Sequence, residues 1–158
     1  MSDLDQRVAV LEAESAIKAL KARYARLCDA DYPPAELAAL FTEDGVWEAD
    51  RGVGRHVGRA AIEEFFTGMC EQYVWAQHYM LTPSIQVAPD AKSARGSWYL
   101  LMPCIEVVDG KKVARWMMGL YDDEYVWTDK GWMFSNTRLR FEVHADHATG
   151  WVPARFAG

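Results

Sequence analysis

The sequence predicts an α+β fold in which helices pack on one face of a curved, mainly antiparallel sheet. Helical periodicity is confined to the part of the chain ahead of residue 73, whereas strand-like segments joined by tight turns fill residues 79–143. No linker, internal repeat or low-complexity stretch separates the two parts. Helices followed by a run of strands are typical of an α+β domain.

Residues 5–28 are predicted to form a long amphipathic helix. Its apolar side chains recur at steps of three and four, with one longer gap; they are Val8, Leu11, Ile17, Leu20, Tyr24 and Leu27. Basic side chains are assigned to the other faces, namely Lys18, Lys21, Arg23 and Arg26. The segment 29–34 breaks this pattern, and Pro34 suits the first turn of a new helix.

Two shorter helices follow, with a short strand and a loop between them. The first covers about residues 35–40, residues 41–45 indicate a turn, and residues 46–48 indicate a short strand. Three glycines mark a loop, and residues 59–70 then form the third helix. Its apolar face carries Ile62, Phe65, Phe66 and Met69.

Four strands are predicted in the second half, over residues 79–87, 94–108, 113–127 and 132–143. The Asp109-Gly110 pair is a strong hairpin signal, and Asp129-Lys130-Gly131 forms the next turn. Residues after about 145 lack periodicity and are predicted to form a loose tail to residue 158.

Size and charge restrict the classes of partner. A chain of 158 residues is typical of a single domain, here residues 1–158. With a net charge of −6, the sequence lacks a strongly basic footprint, which disfavours nucleic acids and anionic membranes as partners. No apolar run approaches the roughly 18 residues of a membrane span, and the acidic N-terminus is no signal peptide. Three widely spaced cysteines favour a reducing, cytoplasmic location.

Several short motifs occur in a characteristic order. Arg23-Tyr24 is followed by Asp29 and then by the turn-forming segment 40–46. Residues 58–62 precede Phe65-Phe66, Gln77-His78-Tyr79 begins a strand, and residues 130–134 form part of the last hairpin. Across residues 5–143 this order resembles the SnoaL-like polyketide cyclase and dehydratase family of the nuclear transport factor 2-like superfamily.

The resemblance implies a cone in which a strongly bent sheet and three helices enclose a deep pocket. It also implies that no cofactor is needed and that the chain forms a homodimer or higher homo-oligomer, commonly through the sheet. Known members include scytalone dehydratase, bile-acid dehydratases, a dehydrochlorinase, polyketide cyclases and ketosteroid isomerases. Others are non-catalytic adaptors or dioxygenase small subunits, so the fold alone does not decide the function.

Asp29 and His78 are the candidate catalytic pair. In the dehydratase and dehydrochlorinase members an aspartate at the end of the first helix contacts a histidine on the first long strand, and these residues match both positions. A neutral imidazole is a competent base near pH 7, and a buried carboxylate would fix its tautomer. Asp29 also places negative charge at a helix C-terminus, against the helix dipole. The alternative interpretation is that Asp29 is a solvated turn residue and that His78 is a core histidine.

Three further residues are weighed for chemistry. Tyr24 would donate a hydrogen bond from its hydroxyl group to a substrate oxygen, or would serve as a core aromatic. Asp31 would act with Asp29 as an acid–base pair, although a cap on the next helix is the preferred interpretation. Cys104 follows a proline where scytalone dehydratase has a second histidine, and it is interpreted as a thiol of the pocket wall.

A set of aromatic and basic residues is predicted to line the substrate pocket. The aromatic members are Trp47, Trp98, Trp116 and Tyr121, and they suit a flat apolar ligand unless they serve in plain core packing. Arg138 and Arg140 share one face of the last strand. One of them would stabilise an oxyanion or leaving group in the pocket, or both would point to solvent.

Two other clusters are not predicted to be functional sites. His144, Asp146 and His147 match no trusted zinc spacing, so no metal site is predicted and a solvated tail is preferred. The glycine-rich segment 52–56 has no Lys-Ser/Thr after it, which disfavours a phosphate-binding loop.

These observations predict a cofactor-free lyase, specifically a dehydratase of a small aromatic, polyketide-like or polycyclic substrate. His78 would remove a proton, Asp29 would orient it, and the imidazolium or a pocket tyrosine would protonate the departing oxygen. The same base would also serve isomerisation, an aldol-type cyclisation, halide elimination or retro-aldol cleavage. A non-catalytic ligand carrier, a dimeric adaptor or a partner subunit of an oxygenase are the alternatives from another class.

Overall fold

Three helices pack on a seven-stranded sheet in the computed structural model, which describes residues 3–152 and 155–156. The helices are α1 (Asp3–Asp29), α2 (Pro34–Ala38) and α3 (Arg59–Gln72). The strands are β1 (Phe41–Ala49), β2 (Gly54–Val57), β3 (Tyr73–Ala76), β4 (Tyr79–Val87), β5 (Ser93–Val108), β6 (Lys111–Thr128) and β7 (Gly131–Asp146). This architecture confirms the predicted α+β class.

The strands form one curled sheet in the order β2-β1-β7-β6-β5-β3, with β4 paired to β5 alongside β3. The β1–β7 pair is parallel, and the other pairs are antiparallel. The strands β5, β6 and β7 are 16, 18 and 16 residues long and provide the backbone of the sheet. Strands of this length must bend to remain packed against the helices, and the bend creates a hollow interior.

One face of α1 is buried against the sheet. Its buried residues include Ala13, Ile17, Lys21, Tyr24 and Cys28, at steps of four, four, three and four. Burial in α1 begins at Ala13, so the predicted core positions Val8 and Leu11 are 43% and 64% exposed. The prediction was therefore wrong for the first turns of this helix and correct for its second half.

Lys21 corrects the assignment of the basic residues to solvated faces. Its side chain is fully buried, and Nζ lies 2.8 Å from Asp123 Oδ2. Spacing rather than residue type explains this position, because residue 21 lies between Ile17 and Tyr24 on the same helical face. By contrast, the predicted solvated position of Lys18 is confirmed, since its side chain is 51% exposed.

The edge of the sheet differs from the sequence-based prediction. The structure adds β2 and β3, and it starts β1 at Phe41, within the predicted turn. Pairing of β1 with β7 shifts register between Phe41 and Val46. Gly45 lies in this irregular segment, where a Cβ atom would come within 2.9 Å of Phe41 Cβ. The turn-like composition of residues 41–45 thus encodes an irregular strand.

The hairpin turns and the long strands agree closely with prediction. β4 occupies the predicted residues 79–87, and Asp109 and Gly110 join β5 to β6 with φ values of 49° and 73°. Two successive left-handed residues are the geometry that an Asp-Gly hairpin turn favours. The local turn chemistry therefore determines the register of the central hairpin.

The C-terminal segment is more ordered than the loose tail that was predicted. β7 extends to Asp146, and Ala145 is buried. The chain then returns, because His144 N donates to Arg155 O over 2.7 Å and Phe156 forms a parallel bridge with His144. Residues 153–154 and 157–158 of the predicted tail lie outside the described residues. No helix in the described part of the chain has both the length and the hydrophobicity for a membrane crossing.

Candidate active site

A histidine and an aspartate meet where α1 ends and β4 begins. Asp29 is the last residue of α1, and His78 lies in the link between β3 and β4. One oxygen, Asp29 Oδ1, accepts both the backbone N–H and the Nδ1–H of His78, each over 2.8 Å. A carboxylate can only accept, so Nδ1 carries a proton, and in the neutral imidazole Nε2 is then the unprotonated nitrogen. The predicted pair is therefore in contact, with the imidazole in the tautomer that a base needs.

The two partners differ in exposure. The His78 side chain is 5% exposed, whereas the Asp29 side chain is 30% exposed. The expectation of a buried carboxylate is thus corrected, because the carboxylate borders solvent on the side away from the ring. Solvent weakens its attraction for an imidazolium, so its main effect is to fix the orientation and tautomer of the ring.

Tyr32 is the second neighbour of His78, and sequence reasoning did not identify it. It lies in the turn between α1 and α2, and its Oη is 3.4 Å from His78 Nε2. The two rings meet edge to face with centroids 5.7 Å apart. A turn position has no periodicity from which the direction of its side chain could be read, so the sequence carried no signal for this contact.

His78 and Tyr32 open into a cavity of about 350 Å³ between the helices and the sheet. Its apolar wall includes Phe65, Phe66, Met69, Leu100, Met102 and Met117. Polar groups are contributed by Tyr24, Tyr32, Tyr73, Tyr121, Cys28 and Gln72. A mainly apolar cleft with a few polar groups is the usual form of a small-molecule site.

The hydroxyl groups of the cavity are kept protonated. Burial raises the pKa of Tyr24 and Tyr32 well above the usual value, and it also raises the pKa of Tyr121. Burial likewise raises the pKa of the Cys28 thiol. These groups therefore act as neutral hydrogen-bond donors, and Cys28 is not an activated nucleophile.

Three of the predicted site residues form part of the cavity wall. Tyr24, Trp47 and Tyr121 line it together, from α1, β1 and β6. Tyr24 Oη accepts a hydrogen bond from Trp47 Nε1 over 2.9 Å. The rings of Tyr24 and Tyr121 meet edge to face with centroids 6.2 Å apart.

Three other predicted pocket residues lie elsewhere. Trp98 and Cys104 are buried on β5 but are absent from the cavity wall; Trp98 Nε1 donates to Tyr125 Oη over 3.0 Å. Burial raises the pKa of Cys104 to about 12. Trp116 is also outside the cavity, and it stacks on His147 with centroids 5.8 Å apart. Successive side chains of a strand point to opposite faces of the sheet. Met117 faces the cavity, so its neighbour Trp116 faces the other side.

Both predicted arginines point away from the cavity. Arg138 and Arg140 are 59% and 45% exposed, and they pair with Glu48 and Asp122 on the outer surface of the sheet. Their neighbours Leu139 and Phe141 face the cavity instead. The arginine at the cavity is Arg51, from the glycine-rich loop after β1, with its guanidinium carbon 3.4 Å from the centroid of the Phe156 ring.

The remaining acidic and histidine candidates also have defined places. Asp31 does not cap α2, since the N-cap is Pro33 without a side-chain hydrogen bond. His144 and Asp146 are part of β7 and bind Glu106 and Arg115, so they do not belong to a solvated tail. Within the described residues, no three metal-ligating side chains converge.

A second depression, of about 450 Å³, lies on the outer surface of the sheet. Arg95 pairs there with Glu124, and Arg138 pairs with Glu48. Its lining is more polar than that of the inner cavity, and His78 is not part of it. The inner cavity with His78 is therefore the candidate active site.

Comparisons with solved structures place this fold among small α+β proteins of similar size. A candidate scytalone dehydratase from Novosphingobium aromaticivorans is 23% identical, with 91% of each chain covered and a TM-score of 0.73. A candidate aromatic ring hydroxylase from the same organism is 24% identical, with 88% of this chain and 96% of that chain covered and a TM-score of 0.78.

The hexachlorocyclohexane dehydrochlorinase LinA-type3 from Novosphingobium barchaimii LL02 is similar in the same way. It is 18% identical, with 96% of this chain and 99% of that chain covered and a TM-score of 0.76. At these identities the likeness establishes the fold. A search of curated proteins finds no significant match.

The sequence itself matches a family model that is described as a SnoaL-like domain, over residues 9–138. The match includes α1, Asp29, His78 and most of the sheet. The protein therefore belongs to the SnoaL-like domain family, within the nuclear transport factor 2-like superfamily.

Proposed function

We propose that this protein is a cofactor-independent lyase, a dehydratase that removes water from a small aromatic, polyketide-like or polycyclic substrate. The observation that carries the proposal is the double hydrogen bond from His78 to Asp29 Oδ1, which leaves Nε2 unprotonated beside an apolar cavity. A base that is held in one tautomer next to a substrate-sized cavity is the minimum that proton abstraction requires.

In the proposed reaction, His78 Nε2 removes a proton from a carbon adjacent to an activating group. Asp29 holds the ring in place and supports the imidazolium that forms. The hydroxyl group on the neighbouring carbon then takes a proton from the imidazolium or from a pocket tyrosine and leaves as water. Proton transfer by a positioned group contributes about 10²–10⁴-fold to the rate.

The cavity wall favours a neutral, ring-containing substrate. Among the described lining residues, Arg51 is the only permanently charged one, and its guanidinium is covered by the Phe156 ring. Tyr24 and Tyr121 offer neutral hydroxyl groups to a substrate oxygen. The volume of about 350 Å³ is near the lower end of the usual range of ligand sites, which favours one or two fused rings.

The same base could also catalyse isomerisation, aldol-type cyclisation or retro-aldol cleavage. Elimination is preferred because structurally similar proteins are named for eliminations, a candidate scytalone dehydratase and a hexachlorocyclohexane dehydrochlorinase. Halide elimination therefore belongs in the same test as loss of water.

The proposal includes a homodimer that pairs through the outer face of the sheet. Trp75, Tyr79, Leu81 and Tyr99 lie on the neighbouring strands β3, β4 and β5 and are 42–57% exposed. Leu81 and Tyr99 are direct cross-strand partners, so their side chains form one continuous patch. Apolar patches of this kind are typical of interfaces between protein chains.

The test is a turnover screen of β-hydroxyketones of one and two aromatic rings, with water loss followed by mass spectrometry. Wild type is compared with His78→Asn, Asp29→Asn and the control His147→Asn, since His147 lies outside the cavity. We expect His78→Asn to lose about 10²–10⁴-fold in kcat. Asp29→Asn should also lose activity, and His147→Asn should retain it.

Two results would contradict the proposal. Turnover that survives in His78→Asn would remove the imidazole from the mechanism. Tight binding of the same compounds to wild type without any turnover would identify a ligand carrier instead of an enzyme.

A further inference from the structure

We propose that Tyr32 is the acid partner of His78, donating its phenolic proton to the departing hydroxyl group and recovering a proton from the imidazolium. The inference rests on the proposed lyase function and assigns one of its two proton transfers to a specific residue. Tyr32 itself, in the turn between α1 and α2, carried no predicted catalytic role.

The first argument is position. Tyr32 is 5% exposed, and its Oη lies 3.4 Å from His78 Nε2, the nitrogen that faces away from Asp29. The distance is long for a hydrogen bond, as is common in unliganded active sites, where such contacts tighten when substrate binds. A substrate carbon that approaches Nε2 must therefore also approach the Tyr32 hydroxyl.

The second argument is the way in which the ring is held. It stacks on Phe66 at a centroid distance of 6.3 Å and lies against Tyr73 at 6.4 Å, while His78 meets it edge to face. Packing on three sides fixes the ring, so the hydroxyl keeps one direction. A proton donor must be placed in this way if it is to meet a leaving group at a defined point.

The third argument is the backbone. Asp31 and Tyr32 both have left-handed conformations, with φ values of 61° and 51°, and neither is a glycine. Left-handed backbone is unfavourable for a residue with a side chain and persists where the surrounding structure enforces it. Here the two left-handed residues turn the Tyr32 side chain from the chain surface into the cavity.

Other groups near His78 are less suited to this role. Asp29 can only accept, and it contacts His78 at the backbone N–H and at Nδ1, away from Nε2. The Tyr73 and Tyr24 hydroxyl groups form hydrogen bonds with Gln72 and Trp47 rather than with His78. In the described part of the chain, Tyr32 is the cavity hydroxyl within hydrogen-bond distance of Nε2.

The proton balance closes without a further reactant. Nε2 takes the proton from the substrate carbon, the carbon–oxygen bond breaks, and the Tyr32 proton joins the leaving oxygen to give water. This leaves an imidazolium and a phenolate in contact, and the Nε2 proton then passes to Oη. Because burial raises the pKa of Tyr32, the phenolate is a strong base that this transfer neutralises at once. Both side chains return to their initial states.

The experiment separates acid catalysis from a structural role by changing the leaving group. The probes are β-hydroxytetralone, a bicyclic β-hydroxyketone, and β-chlorotetralone, and rates are corrected for the uncatalysed reaction. Chloride leaves as an anion and needs no proton, whereas hydroxide does. We expect Tyr32→Phe to lose about 10²–10⁴-fold in kcat on the alcohol and less than about threefold on the chloride.

Tyr79→Phe is the matched control, because Tyr79 is adjacent to His78 in sequence but 42% exposed and outside the cavity wall. It should keep both rates. Thermal unfolding of both variants verifies that they fold. An equal loss on both probes, or no loss on either, would overturn the role of Tyr32 while leaving the lyase intact. Absence of turnover of both probes by wild type would instead overturn the lyase, and the Tyr32 proposal with it.

Discussion

Lys21 projects from α1 into the core, where its ammonium group forms a fully buried ion pair with Asp123. Nζ is 2.8 Å from Asp123 Oδ2 and 3.5 Å from the centroid of the Tyr121 ring. Burial lowers the pKa of Lys21, and the negative charge of Asp123 opposes that shift. Tyr125 Oη also donates to Asp123 Oδ2, over 2.8 Å. The pair therefore lies directly behind a wall of the cavity.

Removal of one partner should leave the other charge buried and uncompensated. We expect Lys21→Met to lower the free energy of unfolding by about 3–5 kcal/mol, measured by urea denaturation. The double variant Lys21→Met/Asp123→Asn should recover part of this loss, because no charge is then stranded. Lys18→Met changes an exposed lysine three residues away and should stay within about 0.5 kcal/mol of wild type. Equal stabilities of Lys21→Met and Lys18→Met would contradict this account.

At the scale of single residues, sequence reasoning placed some side chains of regular elements correctly and others, such as Trp116 and Arg138, on the wrong face of a strand. Tyr24, Trp47 and Tyr121 could be assigned from helix and strand patterns, and the structure puts them in the cavity wall. Lys21 was misassigned although the spacing from Ile17 was available, because its charge outweighed its position. Tyr32 could not be predicted, since two left-handed backbone residues set its direction.

At the scale of elements, Gly119 shows how a long strand can bend. It lies in β6 beside a register shift against β7. A Cβ atom at this position would lie 2.5 Å from the carbonyl oxygen of Arg140 and 2.9 Å from Leu139 Cδ1. The close approach of two backbones is the reason for a glycine here, as at many bulges.

A pair of identical substitutions tests this reading of Gly119. Gly119→Ala should lower the free energy of unfolding by about 1–3 kcal/mol, because the backbone must move to admit a methyl group. Gly68→Ala is the control, since Gly68 lies in α3 with no atom within 4 Å of the added Cβ. It should raise the stability by about 0.5–1 kcal/mol through helix propensity. Effects of the same sign in urea denaturation would count against the close approach.

A second element-scale feature is the ionic cluster that joins α3 to three strands. Glu106 on β5 accepts from Arg115 Nε over 3.1 Å and from Gln72 Nε2 over 3.1 Å, and it lies 3.0 Å from His144 Nε2. The hydrogen bond with His144, then those with Gln72 and the charge of Arg115, lower the pKa of Glu106 below its usual 4.5, against the effect of burial. Arg115 also forms an ion pair with Asp146, so the cluster anchors the end of β7.

The sign of the pH effect follows from this lowered pKa. The folded state holds the Glu106 proton less tightly than the unfolded state, so its contribution to stability is complete above about pH 4.5 and is lost as the pH falls through the folded pKa. We expect Glu106→Gln to be less stable at neutral pH and to lose less stability on acidification. Urea denaturation between about pH 3 and 7 measures the stability of each protein and its dependence on pH. A single titrating group changes the free energy of unfolding by at most about 1.4 kcal/mol per pH unit. The exposed Glu124→Gln is the control, and curves for Glu106→Gln that run parallel to wild type would refute the prediction.

Prediction of the elements was most accurate where turn chemistry is local. The Asp109-Gly110 turn and β4 agree with the sequence-based bounds. The short strands β2 and β3 were missed because four-residue edge strands carry too little pattern, and their pairing partners are distant in sequence. The same limit applied to the return of Phe156 onto β7, which depends on a contact with His144 and not on local preference.

At the scale of the whole molecule, the cavity lies between the helices and the inner face of the sheet. Helices α1 and α3, the turn with Tyr32 and five of the strands all contribute to it. The exposed aromatic patch of Trp75, Tyr79, Leu81 and Tyr99 lies on the opposite face of the sheet, since alternate residues of β5 such as Leu100 and Met102 face the cavity. We therefore assign the proposed dimer interface and the proposed active site to opposite faces of the same sheet.

This separation predicts that association can be removed without removing the active site. Light scattering should give wild type twice the chain mass of 17.9 kDa, and Tyr99→Lys the mass of one chain, because a charge at the centre of the patch opposes burial. Trp127→Lys is the control, since Trp127 is equally exposed but lies outside the patch, and it should remain dimeric. The Tyr99→Lys monomer should keep turnover in the β-hydroxyketone screen, because Tyr99 lies on the face of the sheet opposite the cavity. A wild type that scatters as a single chain would refute the dimer, and a monomeric variant without activity would show that the cavity needs support across the sheet.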